Sequence, residues 1–594
     1  TGTPVVEIPL YNLIEGRLAI PLSLSYNPSM IKPQSLSGWA GLGWELNGIP
    51  TISRIVRGMP DEGFTYNGQG RKGYLFWGCY ITNPTDPNLD KEPDYFFLNT
   101  PSGSGKFMFD CQARAFFFPI LDVKVKVNMV NDPNESGSNH YAKKFTSFEV
   151  TFPDGIKYTF DQANNESSAE VEVKAAQSGN IYPGGSGFSQ FLKNNLLPQT
   201  WYCSKMESPY GEVITFTYDR MPYTYYKSGD QTGVGYCPTG SGMDKKVNKV
   251  YVRSSQIREI TSSNLKIRFN GLTRSCYTDN SVSPAEEVCT TLGSSRTDLD
   301  SWGNAPVNLA LGKRLDEVII SDNEASPTSK LTYTFNYGYF NAYDGGLPSG
   351  YNSTDVGSTH LRRLKLQGIS TPDGNNYSFN YDSESENLIS RLSYGIDHWG
   401  YGNGVESNLS SPYGFVGSEV FSPNISNCGS NREPVFAMGK KGVLTEIKTV
   451  MGSKTSFIYE AHQINSGSIA VGGMRIKSVR MEDPLRNISL EKTYNYKLAN
   501  NESSGQIFIN PSYRVTYNSG SGPLAYFAHS NLFSSLLTES GRPEVAYKRV
   551  TEEIHATGGS PSNGKTITEF DMDFWFPNLN NIVKKAHELG LRVI

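Results

Sequence analysis

The sequence predicts an all-β fold, a large curved or spiralling sheet built from β-hairpins, with a short C-terminal helix. Three observations carry this reading. First, six stretches repeat one pattern: a short apolar run, a turn around Pro, Asp, Asn or Gly, then an alternating run that closes on aromatic-x-aromatic, often with an acid next. The clearest copies are 208–219 (SPYGEVITFTYD), 371–382 (TPDGNNYSFNYD) and 450–460 (VMGSKTSFIYE), and looser ones lie at 152–161, 326–337 and 483–496. Second, 35 Tyr and 30 Phe stand beside only 19% charged residues. Third, 58 Gly and 33 Pro supply many turns. Period-two alternation after a Pro-Asp-Gly turn describes a hairpin whose second strand sets Phe and Tyr on one face. A lone hairpin cannot bury such a face, so the copies must pack on neighbours.

Taken in order, Thr3 to Tyr26 reads as two apolar strands with a turn at Glu15-Gly16. Next come Trp39 and Trp44, interleaved with Gly38, Gly41, Gly43 and Gly48. Glycine permits close backbone approach and Trp supplies apolar area, so the segment reads as a Trp-anchored bend that locks the start of the fold. The alternative is an exposed aromatic platform. Residues 52–58 read as a strand with Arg54 and Arg57 pointing outward, ended by Met59-Pro60-Asp61-Glu62. Residues 64–130 read as β-rich, with aromatic clusters at 74–77 and 116–118. Asp86, Asp90, Glu92 and Asp94 fall in a Pro/Asn-rich loop. They lack the ligand order and central Gly of an EF-hand, so a solvated loop is expected. The polar stretches 131–140, 162–187, 222–243 and 274–306 read as surface loops and insertions.

In the second half, Asp397-His398-Trp399-Gly400-Tyr401 invites an acid/base reading. Catalysis would need a nucleophile or metal alongside, and none is named by the sequence, so a structural corner is expected instead. At 578–594 apolar residues recur at spacings of three and four, which predicts the helix. The chain thus divides into a Trp/Gly-rich β segment (1–63), a β-rich region with polar insertions (64–310), a hairpin array (311–577) and a helical tail or the start of a next unit (578–594).

A net charge of −4 gives no general attraction for nucleic acid or an anionic membrane. No apolar run reaches the length of a membrane span. The seven cysteines are scattered, without CxxC. Cys276 and Cys289 flank a Ser/Asn-rich loop and could close a disulfide in an oxidising compartment. GxGxxG, Walker, HExxH and GxSxG signatures are absent. No cofactor or metal is therefore expected, and no catalytic residue is assigned.

The Tyr-Asp endings, together with residues 37–44 (SGWAGLGW), the segment Arg54 to Glu62, the Asp397-His398-Trp399 corner and residues 472–477 (GGMRIK, with Gly473 and Arg475), resemble the Rhs/YD-repeat superfamily. The array is similar to the N-terminal region of large Bacteroidota Rhs-type proteins over roughly 4–577. The resemblance implies a β-sheet wound into part of a hollow shell, which in toxin members encloses a variable C-terminal polypeptide. It implies a secreted or cell-surface scaffold for intercellular competition, whose partners are its own C-terminal payload, secretion machinery (type IX in Bacteroidota) or a target-cell surface. The Asp-Pro-x-Gly pairs of the self-cleaving aspartyl protease are absent, so any catalytic activity is expected beyond Ile594. Two other readings compete. One is a surface adhesion or glycan-binding protein. The other is a carbohydrate-active enzyme, because Asp571 and Asp573 before the helix are similar to a unit of barrel glycosidases.

Overall fold

The computed structural model describes residues 2–57, 59–66, 69–77, 93–110, 112–132, 135, 142–173, 197–228, 232–234, 247–270, 274–279, 286–291, 294–300, 312–324, 329–343, 357–382, 388–405, 432–464, 469–507, 514–517, 525–529, 544–556 and 564–570. The fold is all-β. One 22-stranded sheet runs through it, with a three-stranded sheet at the N-terminus and smaller pairs beside it. The segment predicted to be helical, 578–594, lies outside the described residues, as do Asp571, Asp573, Asp86, Asp90 and Glu92.

All six repeats are antiparallel hairpins, with Thr151 opposite Lys157, Glu207 opposite Val213, Ser321 opposite Ser329, Ile369 opposite Tyr377, Lys448 opposite Lys454 and Asp483 opposite Ile488. The turns of the first, second, fourth and fifth use a glycine at positive φ (Gly155 83°, Gly211 94°, Gly374 77°, Gly452 86°). That region is nearly closed to residues with a Cβ, which is why the repeat spells Gly there.

The aromatic-x-aromatic ending has a specific use. In four copies the pairing with the next strand slips immediately before the Tyr, between Thr217 and Tyr218, Asn336 and Tyr337, Asn380 and Tyr381, and Ile458 and Tyr459. Such a bulge interrupts the ladder and leaves backbone groups to be satisfied otherwise. In three of the copies the Tyr hydroxyl donates back to a carbonyl fifteen residues earlier: Tyr218 to Cys203 (2.7 Å), Tyr381 to Leu366 (2.5 Å) and Tyr459 to Leu444 (3.0 Å). The Phe two residues before each Tyr (Phe216, Phe379, Phe457) is buried. The acid after the Tyr meets a cation where Asp382 takes Lys440 (2.8 Å) and Glu460 takes Arg475 (2.7 Å).

The three-stranded sheet, Val6–Glu15, Leu18–Tyr26 and Trp44–Asn47, lies against the long sheet. Leu42 N–H donates to Leu364 O (2.8 Å), Ile476 N–H to Gly2 O (2.7 Å), Leu444 N–H to the Tyr26 hydroxyl (2.9 Å), and the Tyr333 hydroxyl to Leu10 O. One hydrophobic cluster accordingly runs from Val6 to Ile476.

Five expectations are corrected. Arg54 points inward, at 5% exposure. Asp94, expected in a solvated loop, is fully buried beside it. Tyr74–Trp77 is a single helical turn, not a strand. Its four consecutive apolar residues carry no period-two signal. Residues 162–173 and 222–228 continue the strands Lys157–Val173 and Val213–Ser228 where loops were expected. Within 274–306, Arg274–Asp279 pairs with Glu286–Thr291 and sets Cys276 opposite Cys289; Cys276 is disulfide-bonded.

Candidate functional site: the Asp397 corner

Two of the sequence motifs meet at one corner. Residues 396–402 reverse the chain through an Ile396–Gly402 bridge, with Asp397 N–H donating to Tyr401 O (2.7 Å). The Asp397 carboxylate accepts Trp399 N–H (2.8 Å) and Tyr401 N–H (3.0 Å) through one oxygen. An Asp at the head of a tight reversal does this because its short side chain reaches the amides two and four residues on. Across from it runs the strand Ile469–Asp483, whose partner Lys454–Ile464 pairs His462 with Val471 and Ala461 with Met474. Gly472 and Gly473 are therefore the extra residues of a bulge. A Cβ on Gly472 would strike the Asp397 carboxylate and the Trp399 ring, and one on Gly473 (φ 85°) would sit 2.9 Å from the Tyr401 ring. The bulge makes the room that the corner fills.

Around this contact Trp399, Tyr401, Ile464, Val471, Tyr496 and Tyr547 form a second buried cluster. Charges ring it. Lys32 pairs with Glu544 (2.7 Å) and lies 4.6 Å above the Tyr401 ring, whose hydroxyl reaches Glu544 (3.3 Å). Arg475 binds Glu460 and covers the Tyr496 ring at 4.4 Å. The His462 Nδ1 and Tyr547 hydroxyl share a hydrogen bond of 2.6 Å.

Burial pushes the Asp397 carboxyl from 3.8 up to about 7, against the pull of its two amide donors. Burial, then Arg432, pushes His398 down to about 3, and burial, then Arg475, does the same to His462. Asp397 can hold a proton near neutrality, but it is 1% exposed and spends one oxygen on backbone amides. The arrangement fixes a chain reversal. Among the described residues no group of three or more His, Cys, Asp or Glu is placed to hold a metal ion.

The other motif residues lie elsewhere. Trp44 is 1% exposed, packs at a tilt between Tyr26 (5.1 Å) and Phe379 (4.8 Å), and donates its indole N–H to the Tyr381 hydroxyl (3.0 Å). Gly43 lies against Tyr26 and Ile31, Gly41 against Leu366, and Trp39 beside Phe269 at 5.9 Å. Arg54 pairs with Glu62 (2.6 Å) and Asp94 (3.6 Å), stands 5.3 Å from the Trp201 ring and donates to Pro198 O (2.8 Å). Desolvation first, tempered by Arg54, raises the Asp94 carboxyl to about 7. Arg57 stacks on Tyr95 (4.6 Å), and its N–H is held by Asp94. Sequence reasoning missed Lys32, Glu544, His462 and Tyr547, which lie in no repeated pattern. It also missed a buried cluster of Arg296, Asp298, Arg363 and Arg391. There Arg296 grips Asp298 through two bonds (2.9 and 2.7 Å) and donates to Ser37 O and Gly38 O.

No family model matches the sequence, and no curated protein matches it. Among solved structures the chain is similar to the N-terminal domain of effector protein SpvB from Salmonella typhimurium strain LT2, at 12% identity and a TM-score of 0.28, over 62% of this chain and 98% of that one. It is also similar to TcdB2-TccC3, at 12% identity and a TM-score of 0.29, over 96% of this chain and 30% of that one. The Photorhabdus luminescens Tc holotoxin pore gives 10% identity and a TM-score of 0.29, over 96% of this chain and 23% of that one. The chain spans under a third of the latter two. A likeness at these scores does not decide what the chain does; its own residues must.

Proposed function

We propose that this chain is a non-enzymatic β-sheet scaffold, part of the wall that encloses and presents a polypeptide guest in an exported Rhs-type protein of intercellular competition. The observation that carries the reading is the continuity of the 22-stranded sheet, whose strands lie between Thr51 and Glu569. A wall needs such continuity, and an enzyme does not. The perturbed titratable groups support it: Asp94, Asp397, His398 and His462 owe their shifts first to burial, and the bonds found for Asp94, Asp397 and His462 are to the fold itself. Burial with structural partners perturbs a pKa as readily as an active site does.

The test is cryo-electron microscopy of the native protein, purified with any polypeptide it carries beyond residue 594, alongside limited proteolysis. Enclosed density bounded by this sheet, and a guest cleaved only after the wall is opened, are expected. A sheet with no enclosed guest overturns the proposal. One observation favours adhesion as the second reading. The strand Ala115–Phe118 exposes Phe116 (47%) and Phe118 (54%), and Ile120 follows at 95%; large exposed aromatics of this kind mark contact surfaces. Binding to a glycan or cell surface that is lost in Phe116→Ser/Phe118→Ser would favour it.

A further inference from the structure

The last described strand of the long sheet is bare. Gly564–Glu569 pairs with Arg549–Ala556 on one side, and among the described residues no strand lies on its other side. All six of its residues are exposed, so neither face is covered. Ile567 shows 44% of its surface, and Phe570, which follows the strand, shows 52%.

Which residues aim at the open side follows from the alternation of backbone groups along a strand. Phe570 N–H donates back to Lys548 O (2.8 Å), and Thr568 and Thr566 stand opposite Val550 and Glu552. The even-numbered residues therefore face Arg549–Ala556, and Lys565, Ile567 and Glu569 turn their N–H and C=O outward. The Arg549 carbonyl agrees, since it points the other way, to the Ser504 hydroxyl (2.7 Å). An outward row of this kind is a template for another strand.

The row is its own complement. Laid antiparallel on a second copy with a two-fold axis at Ile567, the strand sets Ile567 on Ile567, Lys565 on Glu569, Thr566 on Thr568 and Gly564 on Phe570. That axis also brings the outward residues opposite one another, so Lys565, Ile567 and Glu569 would each give and take a backbone hydrogen bond. Within the chain Lys565 meets Glu553 (3.2 Å) and Glu569 meets Arg549 (3.6 Å), both on the neighbouring strand, and both side chains stay more than half exposed. Pairing between copies continues this alternation of charge: one row reads Glu553, Lys565, then Glu569 and Arg549 of the second copy. Phe570 lands over Gly564, where an added Cβ would meet nothing within 4 Å among the described residues, and an aromatic ring covers a strand glycine well. Moving the axis to Thr566 or Thr568 sets Ile567 against Lys565 or Glu569 and loses both matches.

We propose that the edge Gly564–Glu569 is a homodimer interface, at which two copies of this chain pair antiparallel and join their long sheets into one. The interface does not depend on whether the sheet encloses a guest.

Sedimentation of the full chain at rising concentration should pass from the mass of one chain to that of two. Lys565→Glu sets two glutamates against each other at both ends of the axis, and Glu569→Lys sets two lysines there, so each variant alone should stay monomeric. An equimolar mixture of the two should pair, because every charged contact across the axis is then a lysine with a glutamate. In one chain these positions stand about 13 Å apart along the strand, so recovery on mixing can arise only between copies. A wild type that stays monomeric, because the edge stays open or because another segment already occupies it, overturns the proposal. Single variants that pair as well as wild type, or folded variants that fail to pair when mixed, do so too. The wild-type masses decide it even if the variants do not fold.

Discussion

At the scale of single residues, the repeated tyrosines make a test that separates a hydrogen bond from mere burial. Tyr218, Tyr381 and Tyr459 each satisfy a backbone carbonyl at a bulge, whereas Tyr337 occupies the same place in its repeat with its hydroxyl enclosed and unpartnered. Tyr→Phe at any of the first three should cost about 1 kcal/mol or more, since a dry carbonyl is left behind, while Tyr337→Phe should be neutral or stabilising. Urea midpoints of the four variants check this, and equal losses at all four would refute the role given to the hydroxyl. Asp397 carries a prediction in pH. Its folded pKa of about 7 stands above its ordinary 3.8, so folding takes up a proton between those values. Its contribution to stability falls as pH rises through that window and stays low above it. Asp94, also raised to about 7, acts with the same sign, while His398 and His462, lowered to about 3, lose stability as pH falls below about 6.5. Asp397→Asn should therefore be more stable than wild type at pH 8, with the advantage shrinking towards pH 4. A constant difference from pH 4 to 8 would exclude it.

At the scale of elements, the hairpins were legible because what specifies them is local. A turn glycine and a two-residue period lie within a dozen positions, and all six stretches form the hairpins they spell. What was not legible depends on partners from elsewhere. Arg54 alternates like a surface residue in its own strand and turns inward only because Glu62 and Asp94 arrive to pair with it. Arg296 and Asp298 sit in a segment whose composition reads as a polar insertion, and their burial comes from Ser37, Gly38 and Leu364 closing over them. The Asp397 corner was half legible: the reversal could be read from Asp and Gly, but not the Gly472-Gly473 bulge that receives it. Two glycines with similar φ show the difference in energy. Gly374 (φ 77°) has nothing within 4 Å of an added Cβ, so Gly374→Ala should cost about 1 kcal/mol for the backbone conformation alone. Gly473→Ala adds a collision with the packed Tyr401 ring and should cost roughly 2–4 kcal/mol. Thermal midpoints of the pair check the ordering, and a reversed order would remove the bulge from its role.

At the scale of the whole molecule, the N-terminal sheet holds together strands that the long sheet spaces far apart. With the residues that flank its strands it reaches Ser263 through Glu15 (2.7 Å), Leu364 through Leu42, Tyr381 through Trp44, Leu444 through Tyr26, Ile476 through Gly2 and Glu544 through Lys32. A sheet alone is a ribbon held edge to edge, and its curvature is fixed only where something packs across its face. Trp44 is the best single place to cut this brace, because it joins a tilted ring contact with Phe379 to a hydrogen bond with Tyr381, residue numbers apart by 337. Trp44→Ala should cost about 3–5 kcal/mol from lost burial and the cavity left behind. Since the brace links distant strands, its loss should spread. Hydrogen exchange should quicken in Val6–Glu15 and Leu18–Tyr26 and also in Arg362–Ser370 and Tyr377–Tyr381, whereas Lys124–Asn131, which among the described residues pairs with Lys143–Thr151 alone, should keep its protection. If the effect stayed within the immediate neighbours of residue 44, the N-terminal sheet would be a passenger on the long sheet. If it reached both sets of strands, the curvature of the long sheet would be set by the chain's own first fifty residues.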